Sequence, residues 1–128
     1  MKRFVLLGAA GFVAPRHMRA IRDTGNELAA AMDPNDSVGV LDSHFPNAAF
    51  FTTFEELSAF VQQQADLESP VDYYSVCSPN HLHEAHVTAG LHAGCNVICE
   101  KPLVLTAEAV DRLVALEANS PGSASTIL

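Results

Sequence analysis

Short apolar runs alternate with longer amphipathic stretches from one end of the chain to the other. The runs, rich in Val, Leu, Ile and Phe and bounded by Gly, Pro or Asn, have the length of β-strands. The stretches between them begin with residues typical of helix N-termini, such as Pro15, Thr53 and Thr106. We predict strands at 3–7, 28–32, 50–51, 71–77 and 97–99, and helices at 15–24, 38–45, 53–64, 81–93 and 106–119.

Strands separated by helices of this length pair in parallel, because a helical crossover returns the chain to the same end of the sheet. We therefore predict an α/β fold, a doubly wound parallel sheet with helices on both faces. A loop is predicted at 120–125, and residues 126–128 are expected to begin a further strand.

Composition narrows the possible partners and the compartment. The 128 residues are 48% apolar, enough for the core of one domain, and the formal net charge is −8. An acidic chain is poorly suited to nucleic acid or to an anionic membrane surface, and no stretch approaches the ~20 apolar residues of a membrane span. The three cysteines lie in or beside apolar runs, which indicates buried thiols and a cytoplasmic protein.

The first predicted strand runs into a turn rich in small residues, Gly8-x-x-Gly11-x-x-Ala14. Gly8 allows a tight turn, Gly11 allows backbone N–H groups to approach a pyrophosphate, and Ala14 allows close packing of helix on strand. The helix that follows would direct its positive N-terminus at the phosphates. A secretory leader is the competing interpretation of residues 2–14, and the later nucleotide-site features favour the strand and phosphate loop.

Asp33 follows the second predicted strand, close to the ~20-residue offset of the acid that binds an adenosine ribose. A carboxylate there accepts both ribose hydroxyls and repels a 2′-phosphate, which favours NAD over NADP. A turn aspartate ahead of Pro34 is the alternative. The loop and the acid together predict a Rossmann-type dinucleotide site.

The run Val97-Ile98-Cys99 ends abruptly in Glu100-Lys101-Pro102. Ligands of open α/β sheets bind at the carboxyl ends of the strands, so Lys101 is a candidate for catalysis. We expect no metal site, since His83 and His86 share a helix face that His81 does not join, and zinc needs three or four convergent ligands. We interpret His17 as a surface or packing residue.

Three motifs together resemble the NAD-binding domain of the Gfo/Idh/MocA oxidoreductases. They are Ser78-Pro79-Asn80-x-x-His83, Ala89-Gly90-Leu91-x-x-Gly94-Cys95 and Glu100-Lys101-Pro102. The resemblance covers the whole chain. Residues 8–21 resemble more narrowly the branch that oxidises the 3-hydroxyl of UDP-N-acetyl-glucosaminuronate in the synthesis of surface polysaccharides such as the lipopolysaccharide O-antigen.

The resemblance implies a role for each matching residue. It places the pyrophosphate on Gly8, Gly11, Phe12 and Val13, and the adenosine ribose on Asp33 and Asn35. It lines the cofactor cleft with Ser78, Pro79, Asn80 and His83. It places Glu100 beside the nicotinamide ribose, and it aims the catalytic Lys101 at the reacting hydroxyl across a cis peptide bond before Pro102.

The family's catalytic histidine and aspartate belong to a second domain that residues 1–128 do not contain. We therefore expect this chain to be the N-terminal fragment of a two-domain, homo-oligomeric enzyme, inactive alone. Other functions stay open, because fold does not settle function. The chain could be a dinucleotide sensor without turnover, another sugar or polyol dehydrogenase, or a lyase or glycosidase that uses NAD transiently.

Overall fold

The structure, a computed structural model, describes residues 1–36 and 38–127. These residues form a six-stranded sheet with every pairing parallel and the strand order β3-β2-β1-β4-β5-β6. The strands are β1 (Arg3–Leu7), β2 (Glu27–Met32), β3 (Ala49–Phe51), β4 (Tyr73–Val76), β5 (Asn96–Cys99) and β6 (Ala124–Thr126). The helices are α1 (Ala14–Asp23), α2 (Gly39–His44), α3 (Phe54–Asp66), α4 (His83–His92) and α5 (Ala107–Ala118). This is the strand order of a Rossmann fold, as predicted.

Two apolar cores lie on opposite faces of the sheet, and the alternation of side chains along β1 divides them. Phe4 and Leu6 pack with α1 and α2 on one face. Val5 and Leu7 pack with α3, α4 and α5 on the other face. The helices therefore cover both faces, and the predicted doubly wound architecture is confirmed.

The register brings the carboxyl ends of all six strands to one edge of the sheet. Leu7 pairs with Met32 on one side and with Val76 on the other, and Val76 pairs in turn with Cys99. The residues that follow these four positions are Gly8, Asp33, Cys77 and Glu100. The side of β1 to which the chain adds strands changes between β3 and β4, and this switch point between β1 and β4 is where open α/β sheets bind ligands.

Capping residues define the helix boundaries that the sequence predicts. Thr53 precedes α3 and accepts a hydrogen bond from the Glu56 backbone N–H, as in a capping box. Thr106 accepts in the same way from the Ala109 N–H at the start of α5. Each cap satisfies one of the backbone donors that a helix N-terminus leaves unpaired.

Several predicted boundaries are wrong by a few residues. β4 begins at Tyr73 rather than at position 71, and a short 3-10 turn at Asn80–Leu82 precedes α4. β6 begins at Ala124, inside the predicted loop, because the backbone of Val97 donates to the Ser123 carbonyl and starts the pairing early. Leu128, predicted to belong to this strand, lies outside the described residues.

Among the described residues, no helix combines the length and apolar character needed to cross a membrane.

Candidate functional site

Gly8 and Gly11 shape the loop after β1 by bringing it against the end of β4. Gly8 has φ +89°, and a Cβ there would lie 2.5 Å from the Cys77 carbonyl carbon and from the Ser78 nitrogen. A Cβ on Gly11 would lie 3.0 Å from the Gly8 oxygen and 3.2 Å from the Cys77 oxygen. Only glycine fits the first position, so the loop follows the sheet edge as a phosphate-binding turn requires.

Helix α1 begins directly after this loop. Its N-cap is Val13, which has no side-chain acceptor, and Pro15 in the first turn has no N–H to satisfy. The N-terminus of α1 therefore carries its partial positive charge at the switch point, where an anion would be stabilised. Phe12 lies at the tip of the loop with 94% of its surface exposed.

Asp33 lies at the end of β2 and connects two backbone segments of the site. Its Oδ2 accepts from the Ala10 N–H at 2.9 Å, and its Oδ1 accepts from the Asn35 N–H at 2.8 Å. These bonds fix the carboxylate beside the phosphate loop, and each oxygen keeps a second lone pair for a ligand hydroxyl. Asn35 is exposed beside it.

The Ser78-Pro79-Asn80 segment forms the opposite side of the switch point. Pro79 and Asn80 are exposed there, whereas the Ser78 hydroxyl is buried and lies 2.7 Å from His86 Nδ1. Burial and then repulsion from His83 lower the pKa of His86 to about 4, so this ring is neutral at pH 7.

His83 is only 1% exposed and connects two loops from beneath the cleft. Its Nε2 lies 2.8 Å from the Ser78 carbonyl oxygen and its Nδ1 lies 2.6 Å from the Pro102 carbonyl oxygen. The side chain thus joins the segment after β4 to the segment after β5. Because carbonyl oxygens only accept, the ring nitrogen that carries a proton donates to the wall it faces, and the buried ring packs between the two walls of the cleft.

Glu100 and Lys101 follow β5 at the same edge. The Glu100 N–H donates to the Val76 carbonyl oxygen at 3.0 Å, which extends the ladder by one residue and fixes the start of the segment. Lys101 is exposed, and the peptide bond between Lys101 and Pro102 is cis, as the family resemblance implies. Both residues border a cavity of about 640 Å³ that extends over the α1 face of the sheet, across Phe4 and Tyr73.

His17 belongs to this site, and the prediction of a surface or packing role overlooked it. The ring is 7% exposed and lies between Ser75 Oγ, 2.5 Å from Nδ1, and Glu100 Oε1, 2.7 Å from Nε2. A signal was present in the sequence. Ala14, Met18 and Ile21 place the buried face of α1 at a spacing that includes position 17, and a buried histidine requires polar partners.

Histidine and cysteine side chains are the candidates in this chain for a metal site or a reactive thiol. Within residues 1–36 and 38–127, no group of three metal-ligating side chains could hold a metal ion. The three cysteines are free and buried, as predicted, and burial raises the pKa of Cys95 to about 11 and that of Cys99 to about 12. These thiols are protonated at neutral pH and are poor nucleophiles.

The residues at the switch point fit a dinucleotide. A glycine loop, a helix N-terminus and a carboxylate face the same edge in the positions that the pyrophosphate and the adenosine ribose require. The sequence profile of the oxidoreductase family with an NAD-binding Rossmann fold matches residues 2–125.

The chain belongs to the Gfo/Idh/MocA oxidoreductase family.

Its cofactor is therefore NAD. Over its full length the chain is 45% identical to the WlbA (WbpB) dehydrogenase of Thermus thermophilus, solved in complex with NAD and UDP-GlcNAcA, with a TM-score of 0.97. It is 36% identical over 83% of its length to D-glucoside 3-dehydrogenase of Escherichia coli, and 32% identical over 84% to inositol 2-dehydrogenase of Paracoccus denitrificans. The chain spans only 42%, 28% and 31% of the lengths of these three relatives, respectively.

Proposed function

We propose that this chain is the NAD-binding half of a dehydrogenase that oxidises the 3-hydroxyl of a UDP-N-acetyl-glucosaminuronate-type sugar nucleotide. The observation that carries the proposal is the 45% identity to the Thermus thermophilus enzyme crystallised with that sugar nucleotide, which extends over the whole chain. The D-glucoside 3-dehydrogenase and the inositol 2-dehydrogenase are 36% and 32% identical over 83% and 84% of the chain. The name of the Escherichia coli relative, a 3-dehydrogenase, supports the position of oxidation.

The geometry supports a role for each cofactor-binding residue. The pyrophosphate would lie on the loop at Gly8, Gly11, Phe12 and Val13, over the N-terminus of α1. Asp33, with Asn35 beside it, would hold the adenosine ribose. The nicotinamide half would then cross the switch point toward Ser78, Pro79, Asn80 and Glu100. His83 would act beneath this cleft by fixing its two walls.

Lys101 would act on the sugar rather than on the adenosine half. Bound NAD supplies the acceptor for the hydride that leaves the sugar carbon. As the hydroxyl on that carbon loses its proton, negative charge develops on its oxygen. A hydrogen bond from the Lys101 ammonium to that oxygen stabilises the charge where it forms. The proton itself would pass to a group of the second domain.

The complete enzyme would therefore contain a second domain that supplies the sugar pocket and the proton acceptor. We propose that it is a homo-oligomer in the cytoplasm, its ligands being NAD and the sugar nucleotide. The three free, buried thiols are consistent with a reducing compartment.

The substrate proposal is tested by following NADH formation with the full-length protein and a panel of substrates. UDP-N-acetyl-glucosaminuronate should be oxidised, whereas a simple D-glucoside and myo-inositol should give at least about a hundredfold lower kcat/KM. Efficient oxidation of the glucoside or of inositol would reassign the substrate. Tight NAD binding without oxidation of any of these three substrates would favour the alternative function, a dinucleotide sensor without turnover.

Asp33 should make the chain prefer NAD to NADP. Repulsion between the 2′-phosphate of NADP and the Asp33 carboxylate should weaken NADP binding by about 2 kcal/mol, or roughly thirtyfold in affinity, in this partly exposed position. Calorimetric titration of both cofactors should show this ratio, and Asp33→Asn should reduce it to a few-fold. Asp36→Asn is the matched control, since it removes the same charge from an exposed position in the same turn. If both cofactors bind the unaltered chain equally, Asp33 does not hold the ribose.

A further inference from the structure

His17 joins three elements of the fold at one point. It lies in the first two turns of α1, its Nδ1 faces Ser75 in the middle of β4, and its Nε2 faces Glu100 after β5. Phosphate-loop residues lead directly into α1. The imidazole therefore connects the segment that would hold the pyrophosphate to the carboxylate that would lie beside the nicotinamide ribose.

The hydrogen-bond partners require a proton on Nε2 of the ring. A carboxylate can only accept, so Nε2 must carry a proton and donate it to Glu100 Oε1. The Ser75 hydroxyl can either donate to Nδ1 or accept from it, so it is a suitable partner for this nitrogen in either case. Glu100 Oε1 thereby accepts one hydrogen bond from the protein, and its second lone pair and those of Oε2 remain for a ligand hydroxyl.

The arrangement is unlike that of a Ser-His-acid nucleophile. Ser75 is 2% exposed within a central strand, so its hydroxyl cannot meet a substrate carbonyl. The acid, in contrast, has 21% of its side chain exposed at the sheet edge. Because Ser75 is buried and Glu100 is accessible, the hydrogen bonds of His17 position Glu100, and Ser75 holds the other side of the ring.

We propose that His17 is a positioning residue for the cofactor. It holds Glu100 at a fixed distance from the phosphate loop, so that one NAD molecule meets both at once. The inference rests on the proposed function, which places Glu100 beside the nicotinamide ribose. His17 itself would touch neither the cofactor nor the sugar.

Two substitutions separate the two hydrogen bonds of the ring. The side-chain amide of glutamine extends to about the position of Nε2, so His17→Gln keeps a donor for Glu100. The amide of asparagine reaches only about as far as Nδ1, so His17→Asn keeps the contact with Ser75 and loses Glu100. The affinities of the chain for NADH and for ADP are then measured by calorimetry. ADP occupies the loop and Asp33 but has no nicotinamide ribose.

We expect His17→Asn to weaken NADH binding about tenfold and to leave ADP binding within about twofold, the loss expected for one hydrogen bond to a charged group. His17→Gln should recover NADH affinity to within about threefold. His92→Asn, an exposed histidine at the end of α4, is the matched control and should change neither affinity. Equal weakening of NADH and ADP by His17→Asn would show that His17 only supports the fold.

Glu100→Gln distinguishes this inference from the function on which it rests. Glu100→Gln should lower the affinity for NADH and leave the affinity for ADP unchanged. The double variant His17→Asn/Glu100→Gln should bind NADH no more weakly than Glu100→Gln alone. If Glu100→Gln weakens neither ligand or both, the nicotinamide end does not lie at Glu100, and the proposed site and the inference both fail. If Glu100→Gln behaves as expected but the double variant loses NADH affinity by the sum of the two single losses in binding free energy, only the role of His17 is overturned.

A measurement on the unaltered chain covers the case in which His17→Asn does not fold. Nitrogen NMR of the His17 ring should show a proton on Nε2, both in the free chain and with NADH bound. A ring protonated at Nδ1 alone cannot donate to Glu100, and that result would overturn the inference without any variant.

Discussion

Replacing Lys101 with methionine is expected to lower the turnover of the full-length dehydrogenase by about a hundredfold or more. Methionine keeps much of the length of the side chain but removes the charge that stabilises the developing oxyanion. The affinity for NAD should stay within about threefold, because Lys101 is assigned to the sugar hydroxyl. Steady-state NADH formation gives the turnover, and calorimetry of the same preparation gives the affinity.

Lys2 provides the matched control for this substitution. It borders the same cavity as Lys101 but lies before β1, at the opposite edge of the sheet. Lys2→Met removes the same charge and should leave turnover within about twofold. If Lys101→Met and Lys2→Met retain similar turnover, Lys101 has no part in the chemistry and the site requires another electrostatic stabiliser.

Replacing Gly8 with alanine should lower the free energy of unfolding by about 3 kcal/mol or more. The new Cβ would lie 2.5 Å from backbone atoms of Cys77 and Ser78, which directly follow β4 and are held against β1 by the hydrogen bond from the Cys77 N–H to the Leu7 carbonyl. The φ of +89° adds strain of its own. Urea unfolding followed by circular dichroism measures the effect.

Gly25→Ala separates the strain from the collision. Gly25 has a similar φ of +75°, but nothing lies within 4 Å of a Cβ built there. Its substitution should cost about 1 kcal/mol from backbone strain alone. Equal losses at the two glycines would mean that the close approach of the phosphate loop to β4 contributes nothing to stability.

The sequence predicted the fold class and the edge that carries the site because both depend on local patterns. Each strand is a short apolar run, and the first polar or small residues after it mark its carboxyl end. Gly8, Asp33 and Glu100 are such residues, and parallel pairing brings them to one edge without further information.

The role of His17 could not be predicted because its partners are distant in sequence. Ser75 is 58 residues away and Glu100 is 83 residues away, and neither contact leaves a periodic signal. Helix periodicity could place position 17 on a buried face but could not supply the polar groups that it meets there.

The buried face of α5 was also mispredicted. The apolar residues of the predicted helix 106–119 and its start indicate a buried face made of Leu105, Val110, Leu113, Val114 and Leu116. Val110 and Val114 are instead 46% and 62% exposed. Leu113 faces the core as predicted, together with Ala109. A stripe of valine and a stripe of alanine and leucine predict burial equally well, so the packing of α5 against α4 decides between them.

The most direct test of the central claim is a crystal structure of this chain grown with NAD. The account predicts the pyrophosphate on the loop that includes Gly8 and Gly11, the adenosine ribose on Asp33, and the nicotinamide ribose within hydrogen-bonding distance of Glu100, with Lys101 beside the ring. NAD bound instead in the cavity over Phe4 and Tyr73, or no NAD at the sheet edge when the cofactor is saturating, would contradict it.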